Sequence, residues 1–283
     1  MSTSSTHRIP HTEEEGATIV GTLQRVDSGE TNGRGIALIC HGSLGHKDYL
    51  FQKRLAHRLP IDSFRFDFRG NHESTGSWRT GAFGNDVVDI EVVVEYLTKH
   101  FGYVVHLIVG HSRGVVSAIR WMCTSKYSKN VRGFVNVSGR YRMEVSHSLP
   151  EQAREQLNKE GFYITRAVVA RKELVIRTTT EELYEFMTFD PTPVWDQFPK
   201  ETHVLTVHGM KDRIVPPYDA TIYARAFGAR SPGTHNLCYN EEADHNFTGM
   251  SDFVVDTILE WWSHLQHNQL QTGVWHTGVR GKL

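Results

Sequence analysis

Cysteine is scarce in this chain of 283 residues: Cys40, Cys123 and Cys238 are odd in number and form no Cys-x-x-Cys pair. That excludes a disulfide framework and a cysteine-rich metal site, and it reads as three free thiols in apolar settings. Long apolar runs are missing too, since nothing approaches the roughly 18 to 20 residues that a membrane-spanning helix needs. Nor is there an excess of one charge, because 31 basic residues face 32 acidic ones for a net charge of -1. Without a broad basic field to meet a phosphate backbone, nucleic acid is excluded as a partner. The opening MSTSSTHRIPHTEEEG lacks the basic and then apolar regions of a secretory signal. It reads as a loose polar leader, residues 1–16, on a cytoplasmic protein.

What is present is the composition of a globular domain, 39% hydrophobic and 22% charged. Strand-like runs fall at 35–42 (GIALICHG), 63–70 (SFRFDFRG), 104–112 (VVHLIVGHS), 131–139 (VRGFVNVSG) and 203–209 (HVLTVHG). Amphipathic stretches at about 49–58, 85–100, 114–125, 217–227 and 251–267 lie between or after them. Repeated strand–helix–strand order predicts an α/β fold, a mostly parallel sheet covered by helices on both faces. ATIVGTLQRV at 17–26 follows no crossover helix and is expected to add an antiparallel edge.

The rhythm breaks once. About 60 residues separate Gly139 from His203, where a crossover needs only a dozen or so. The expected organisation is therefore a core of 17–140 and 200–267, an insertion at 141–199, and a glycine-rich tail at 268–283. Inside the insertion a helix ending at Gly161, two β-rich segments, and a helix opened by a Thr179/Glu182 capping box are predicted. Such an excursion at a strand end suits a small cap over a site.

Gly110-His111-Ser112-Arg113-Gly114 follows a buried-strand pattern directly. This is the arrangement of a nucleophile elbow, where a serine sits on a strained turn between strand and helix. A serine hydroxyl needs an imidazole to take its proton and a carboxylate to orient that imidazole. Asp212 follows the run HVLTVHG, and His245 lies in the loop before SDFVVDTILEWW, so serine, acid and histidine occur in the required order. Asp244 is the rival acid, ranked below Asp212 because adjacent loop residues rarely meet side by side in triad geometry. His111 flanks the serine and cannot readily reach back to it. Oxyanion donors are expected at the backbone N–H of Arg113 and, in the loop His41-Gly42-Ser43-Leu44-Gly45, at Ser43.

Together HGSLGHKD, DFRGNHESTG, GHSRG, HGMKDRIVP and DHNF resemble the α/β-hydrolase superfamily, and within it small serine esterases such as cinnamoyl (feruloyl) esterases and serine peptidase-like hydrolases. The resemblance covers about residues 18–265 and departs from the pattern at His72, where relatives usually carry a glycine. It implies Ser112, Asp212 and His245 as a triad, Ser43 and Arg113 as oxyanion donors, and 141–199 as a cap. If that cap roofs an acyl pocket, its apolar and aromatic side chains Phe162, Tyr163, Leu183 and Phe186 are the candidates to contact substrate. The resemblance implies a small-molecule ester substrate and neither cofactor nor metal. Thioesterase and acyltransferase chemistry would use the same residues, and a catalytically silent binding protein of this fold is the alternative from another class.

Overall fold

The computed structural model describes residues 2–145 and 149–276. Its centre is a nine-stranded sheet in the order β1-β2-β4-β3-β5-β6-β9-β10-β11. The central strands are β3 (Gly35–Cys40), β4 (Asp62–Asp67), β5 (Val104–His111), β6 (Gly133–Val137), β9 (His203–Gly209) and β10 (His235–Asn240), and all pair in parallel. Only β2 (Thr18–Arg25) runs against its neighbours, pairing antiparallel with β1 (Thr3–Pro10) and β4.

Alternating side chains build two cores, as a sheet covered on both faces requires. Along β3, Ile36, Leu38 and Cys40 join the side packed by α2 (Phe83–Phe101), α3 (Arg113–Thr124) and α6 (Tyr218–Gly228). Ala37 and Ile39 join the opposite side, covered by α1 (Gln52–Arg58) and α7 (Ser251–Gln266). Trp121 fills the first core and Trp261 and Trp262 the second, each at most 1% exposed. The pairing of β3 with β5 slips by one residue between Ile36 and Ala37, leaving His106 without a counterpart. That bulge keeps Leu107, Ile108 and Val109 in the phase that ends at the glycine–histidine–serine turn.

Three elements depart from expectation. Residues 3–10 are not a loose leader but the edge strand, so the antiparallel strand at 18–25 lies one place inside. Their side chains are mostly exposed, so TSSTHRIP carries no apolar alternation, and the strand is held through its backbone ladder to β2. The run HNLCYN forms the buried strand β10, whose polar residues are satisfied internally: Trp261 Nε1 donates to Asn236 Oδ1 at 3.0 Å, and Asn236 Nδ2 to the Gln271 carbonyl at 2.7 Å. In the tail, Gly273–Val274 forms a short parallel strand, β11, on β10, while residues 277–283 lie outside those described.

Within 141–199 lie α4 (Glu151–Glu160), the antiparallel hairpin of β7 (Phe162–Val169) and β8 (Lys172–Thr179), and α5 (Thr180–Met187). Gly161, at φ 74°, ends α4. Thr179 and Glu182 form a reciprocal capping box at the start of α5. The segment is tied to the loop before α2: Thr80 and Thr178 hydroxyls meet at 2.9 Å, and Arg79 pairs with Glu182 and Glu185.

Candidate active site

Four strand ends converge at one edge of the sheet. The first is the end of β5. Ser112 takes φ 51° and ψ -118°, a conformation costing a non-glycine residue about 1 to 3 kcal/mol, and its amide is held by the Val137 carbonyl at 2.9 Å. The turn is tight enough to dictate its flanking residues. A Cβ on Gly114 would meet the His41 carbonyl oxygen at 2.4 Å, and one on Gly110 would meet Val115 N at 2.8 Å. Both contacts are with backbone, so any larger residue would push the helix off the sheet.

The other ends bring the partners. His245 Nε2 lies 2.9 Å from Ser112 Oγ, and His245 Nδ1 lies 2.7 Å from Asp212 Oδ2. Asp212 is buried just beyond β9, where its Oδ1 accepts from the amides of Ile214 and Val215, each at 2.8 Å. Its Oδ2 is shared with a second imidazole, that of His208, at 3.2 Å. Burial alone would raise the Asp212 pKa, but hydrogen bonds from His208 and His245, with the latter's charge, hold it well below the usual carboxylate range. His208 Nε2 also lies 3.0 Å from the Val215 carbonyl, so Nε2 carries the proton. Asp244 turns away and caps its own loop, accepting from Asn246 N at 3.1 Å and Thr248 N at 2.9 Å.

Fully buried His111 points under the site, with Nε2 3.1 Å from the His245 carbonyl. Burial pushes its pKa down to about 3, so the ring is neutral near pH 7 and acts as a prop for the histidine loop.

After β3, His41 pins the glycine-rich loop, with Nδ1 2.7 Å from the Gly42 carbonyl and Nε2 accepting from Phe68 N at 3.0 Å. Lys47 anchors the loop's far end through its amide, 2.6 Å from Asp67 Oδ1, and its Nζ, 2.8 Å from Asp67 Oδ2. Ser43, left exposed, makes no backbone or side-chain hydrogen bond through its N–H among the described residues. Arg113 is the first residue of α3, so its N–H has no acceptor within the helix. Its side chain turns back to pair with Asp86 at 2.6 Å and to donate to the Thr80 and Arg79 carbonyls. The elbow is thereby wired to the loop that the insertion packs against.

A cavity of about 340 Å³ opens over Ser112 and His245. Leu44, Tyr49, Phe83, Val116, Ile214 and Val215 line it from the core, and Ala167, Val168, Val169 and Phe186 from the insertion. Of the four substrate contacts expected in the insertion, only Phe186 reaches this cavity. Phe162 and Tyr163 sit at the base of the hairpin, Phe162 beneath the Arg177 guanidinium at 4.1 Å, whereas the hairpin tip reaches the cavity. Leu183 is buried against α4, in a hollow shared with Leu157 and Met187. His72 adopts φ 49°, the conformation that suits a glycine, and its exposed ring stands 4.7 Å from that of His46, away from the cavity. Donor atoms of Asp67, His72 and Glu73 lie within 4.8 Å of one another, but Lys47 Nζ bonds both carboxylates and already supplies the cation.

A doubly covered parallel sheet with serine, acid and histidine beyond the ends of β5, β9 and β10, in that chain order, defines the α/β-hydrolase class. The chain belongs to the alpha/beta hydrolase family, whose model matches residues 37–256. An uncharacterized Saccharomyces cerevisiae protein, YDL057W, is 26% identical over 80% of this chain and 78% of its own. Among solved structures, Est1E from Butyrivibrio proteoclasticus with ferulic acid bound superposes with a TM-score of 0.71 at 16% identity, covering 92% of this chain and 99% of Est1E. Mouse alpha/beta hydrolase domain-containing protein 10 gives 0.67 at 17%, covering 92% and 99%. The Pyrococcus furiosus esterase Pf2001 gives 0.65 at 13%, covering 93% and 90%. At these identities the likeness to solved structures is one of fold. Among the described residues, no helix is long and apolar enough to cross a membrane.

Proposed function

We propose that the protein is a serine hydrolase that cleaves small carboxylic esters through an acyl-enzyme. The observation that carries this reading is the continuous chain from Ser112 Oγ to His245 Nε2 at 2.9 Å and from His245 Nδ1 to Asp212 at 2.7 Å. Asp212 fixes the tautomer with the proton on Nδ1, which leaves Nε2 free to accept. Ser112 Oγ attacks the acyl carbon as its proton passes to His245. The resulting oxyanion accepts from the N–H groups of Ser43 and Arg113, each worth about 3 to 4 kcal/mol to the transition state. His245 then protonates the leaving alcohol, and a water activated by the same imidazole releases the acid.

The insertion acts as the cap. Apolar groups of the hairpin tip and Phe186 face the acyl chain, in keeping with a short, medium or aromatic acyl group. That Est1E holds ferulic acid in the same fold supports an aromatic acyl group among the candidates. The three free cysteines fit the cytoplasmic setting expected from the sequence.

A fluorophosphonate probe is expected to label the native protein and fail on folded Ser112→Ala, and turnover of 4-nitrophenyl acetate should fall by about 10⁴-fold or more in that variant. A panel of acetyl, hexanoyl, cinnamoyl and thioester substrates then ranks leaving group and acyl group. Near-native turnover by Ser112→Ala would refute the mechanism.

A further inference from the structure

Among the described residues the cavity over Ser112 is lined by no aspartate or glutamate, yet two arginines reach it, Arg113 and Arg140. They differ in what balances them. Arg113 is neutralised by Asp86 at 2.6 Å and turned toward carbonyls of the preceding loop. Arg140, which follows β6, makes no ion pair among the described residues; it donates to the Ile214 carbonyl and, at 3.3 Å, to that of Arg142. A guanidinium offers five N–H groups, so donors remain for a ligand.

The carboxylates around it are committed elsewhere. Asp212 is taken by His245 and His208. Asp219 accepts from Arg142 Nε at 2.7 Å and from the amides of Tyr141 and Arg142 at 2.9 and 3.1 Å. Glu144, in the adjoining hollow with Arg140 and Arg142, has its own partner. Burial lowers the pKa of Arg140, the sign of a cation that has lost water without gaining a full counter-charge.

We propose that this site takes esters that carry a carboxylate, and that Arg140 recognises the charge. The inference rests on the serine-hydrolase reading and names its substrate class. A planar guanidinium matches a carboxylate through two parallel N–H···O bonds. A phosphate monoester fits less well, because among the described residues its second charge would meet no other unpaired cation lining the cavity.

Two ester pairs test this and locate the charge. Monoethyl adipate against ethyl hexanoate places it on the acyl side, and 3-acetoxybenzoate against its methyl ester places it on the leaving group. In one pair, the native enzyme should prefer the charged member. Arg140→Gln should then lower the charged-to-neutral ratio of kcat/KM by about 10- to 100-fold, mostly through KM, with Arg140→Lys intermediate. A binding measurement covers a variant that fails to fold: adipamate, the monoamide of adipic acid, should bind the native protein more tightly than hexanamide, which lacks the carboxylate, and the difference should shrink as salt rises.

Ratios untouched by Arg140→Gln in both pairs, or equal binding of adipamate and hexanamide, would overturn the inference while neutral-ester hydrolysis left the serine mechanism standing. Failure of the native protein to cleave any ester or react with fluorophosphonate would instead remove the reading on which it rests.

Discussion

Replacing Asp212 by asparagine keeps shape and removes one charge, which makes it a sharp probe of the proposed mechanism. The carboxylate accepts four hydrogen bonds: two from backbone amides at Oδ1, and two from imidazoles, His245 at 2.7 Å and His208 at 3.2 Å, at Oδ2. Asparagine can keep its oxygen on the amides, but its NH₂ then faces two N–H groups. His208 retains the Val215 carbonyl as an acceptor, 3.0 Å away. His245 Nδ1 has no such alternative among the described residues. It relieves the clash by moving its proton to Nε2, and that tautomer presents a donor to Ser112, where a base is required.

The expected cost is about 10⁴ in kcat, or roughly 5.4 kcal/mol at about 1.36 kcal/mol per tenfold change. The fold should persist, because both amides keep their acceptor. The assay is the pre-steady-state acylation burst with 4-nitrophenyl acetate, run beside the rate of fluorophosphonate labelling and a thermal melt. Asp244→Asn is the control, since that carboxylate bonds Asn246 and Thr248 of its own loop and should change turnover by less than about tenfold. A folded Asp212→Asn retaining a tenth of native turnover, or an equal loss in Asp244→Asn, would refute the assignment of the acid.

Three further outcomes follow from the packing. Phe186→Ala should change the hexanoate-to-acetate ratio of kcat/KM by about 10- to 200-fold, while Phe162→Ala and Tyr163→Ala, outside the cavity, should leave the ranking in place. Asp86→Ala strips a buried guanidinium of its partner and should cost about 3 to 5 kcal/mol in urea unfolding, since both side chains of the pair are only 5% exposed. Burial lowers the His235 pKa from 6.5 to about 3, so between those values the unfolded chain binds a proton that the folded one refuses, and stability falls as pH falls. His235→Gln should therefore flatten the fall in stability between pH 6 and 4 by about 1.4 kcal/mol per pH unit, and an unchanged slope would place the acid sensitivity elsewhere.

Much of this architecture is legible in the chain because the residues concerned answer to local rules. A strand buried on both faces reads as a mostly apolar run, and β3, β5 and β9 do; the strained turn at Ser112 tolerates only glycine two residues to either side, so it advertises itself. The polar strands escape for the complementary reason. In β10, His235 and Asn236 are buried because Thr206, Trp261 and Gln271 satisfy them, and all three partners are distant in sequence. In β1 the side chains are mostly solvated and only the backbone ladder matters, so no periodicity marks it.

The insertion shows a different limit. Its helix ends are local, and Gly161 and the Thr179/Glu182 box mark them correctly. Which part of the hairpin meets the cavity depends on how the whole segment leans, and that is set by the Arg79, Thr80 and Arg113 contacts to the core. Aromatic bulk favours Phe162 and Tyr163 as the lining, yet these lie at the base of the hairpin, and the small apolar groups Ala167, Val168 and Val169 at its tip occupy the wall. His208 and Arg140 are missed on the same ground. A histidine inside a strand and an arginine after one carry no signal until the fold sets the first on Asp212 at 3.2 Å and leaves the second on the cavity wall without a carboxylate. The groups proposed to do the chemistry are thus written in motifs, whereas those that choose the substrate come from contacts between distant segments, and substitutions among the latter should alter preference before they alter mechanism.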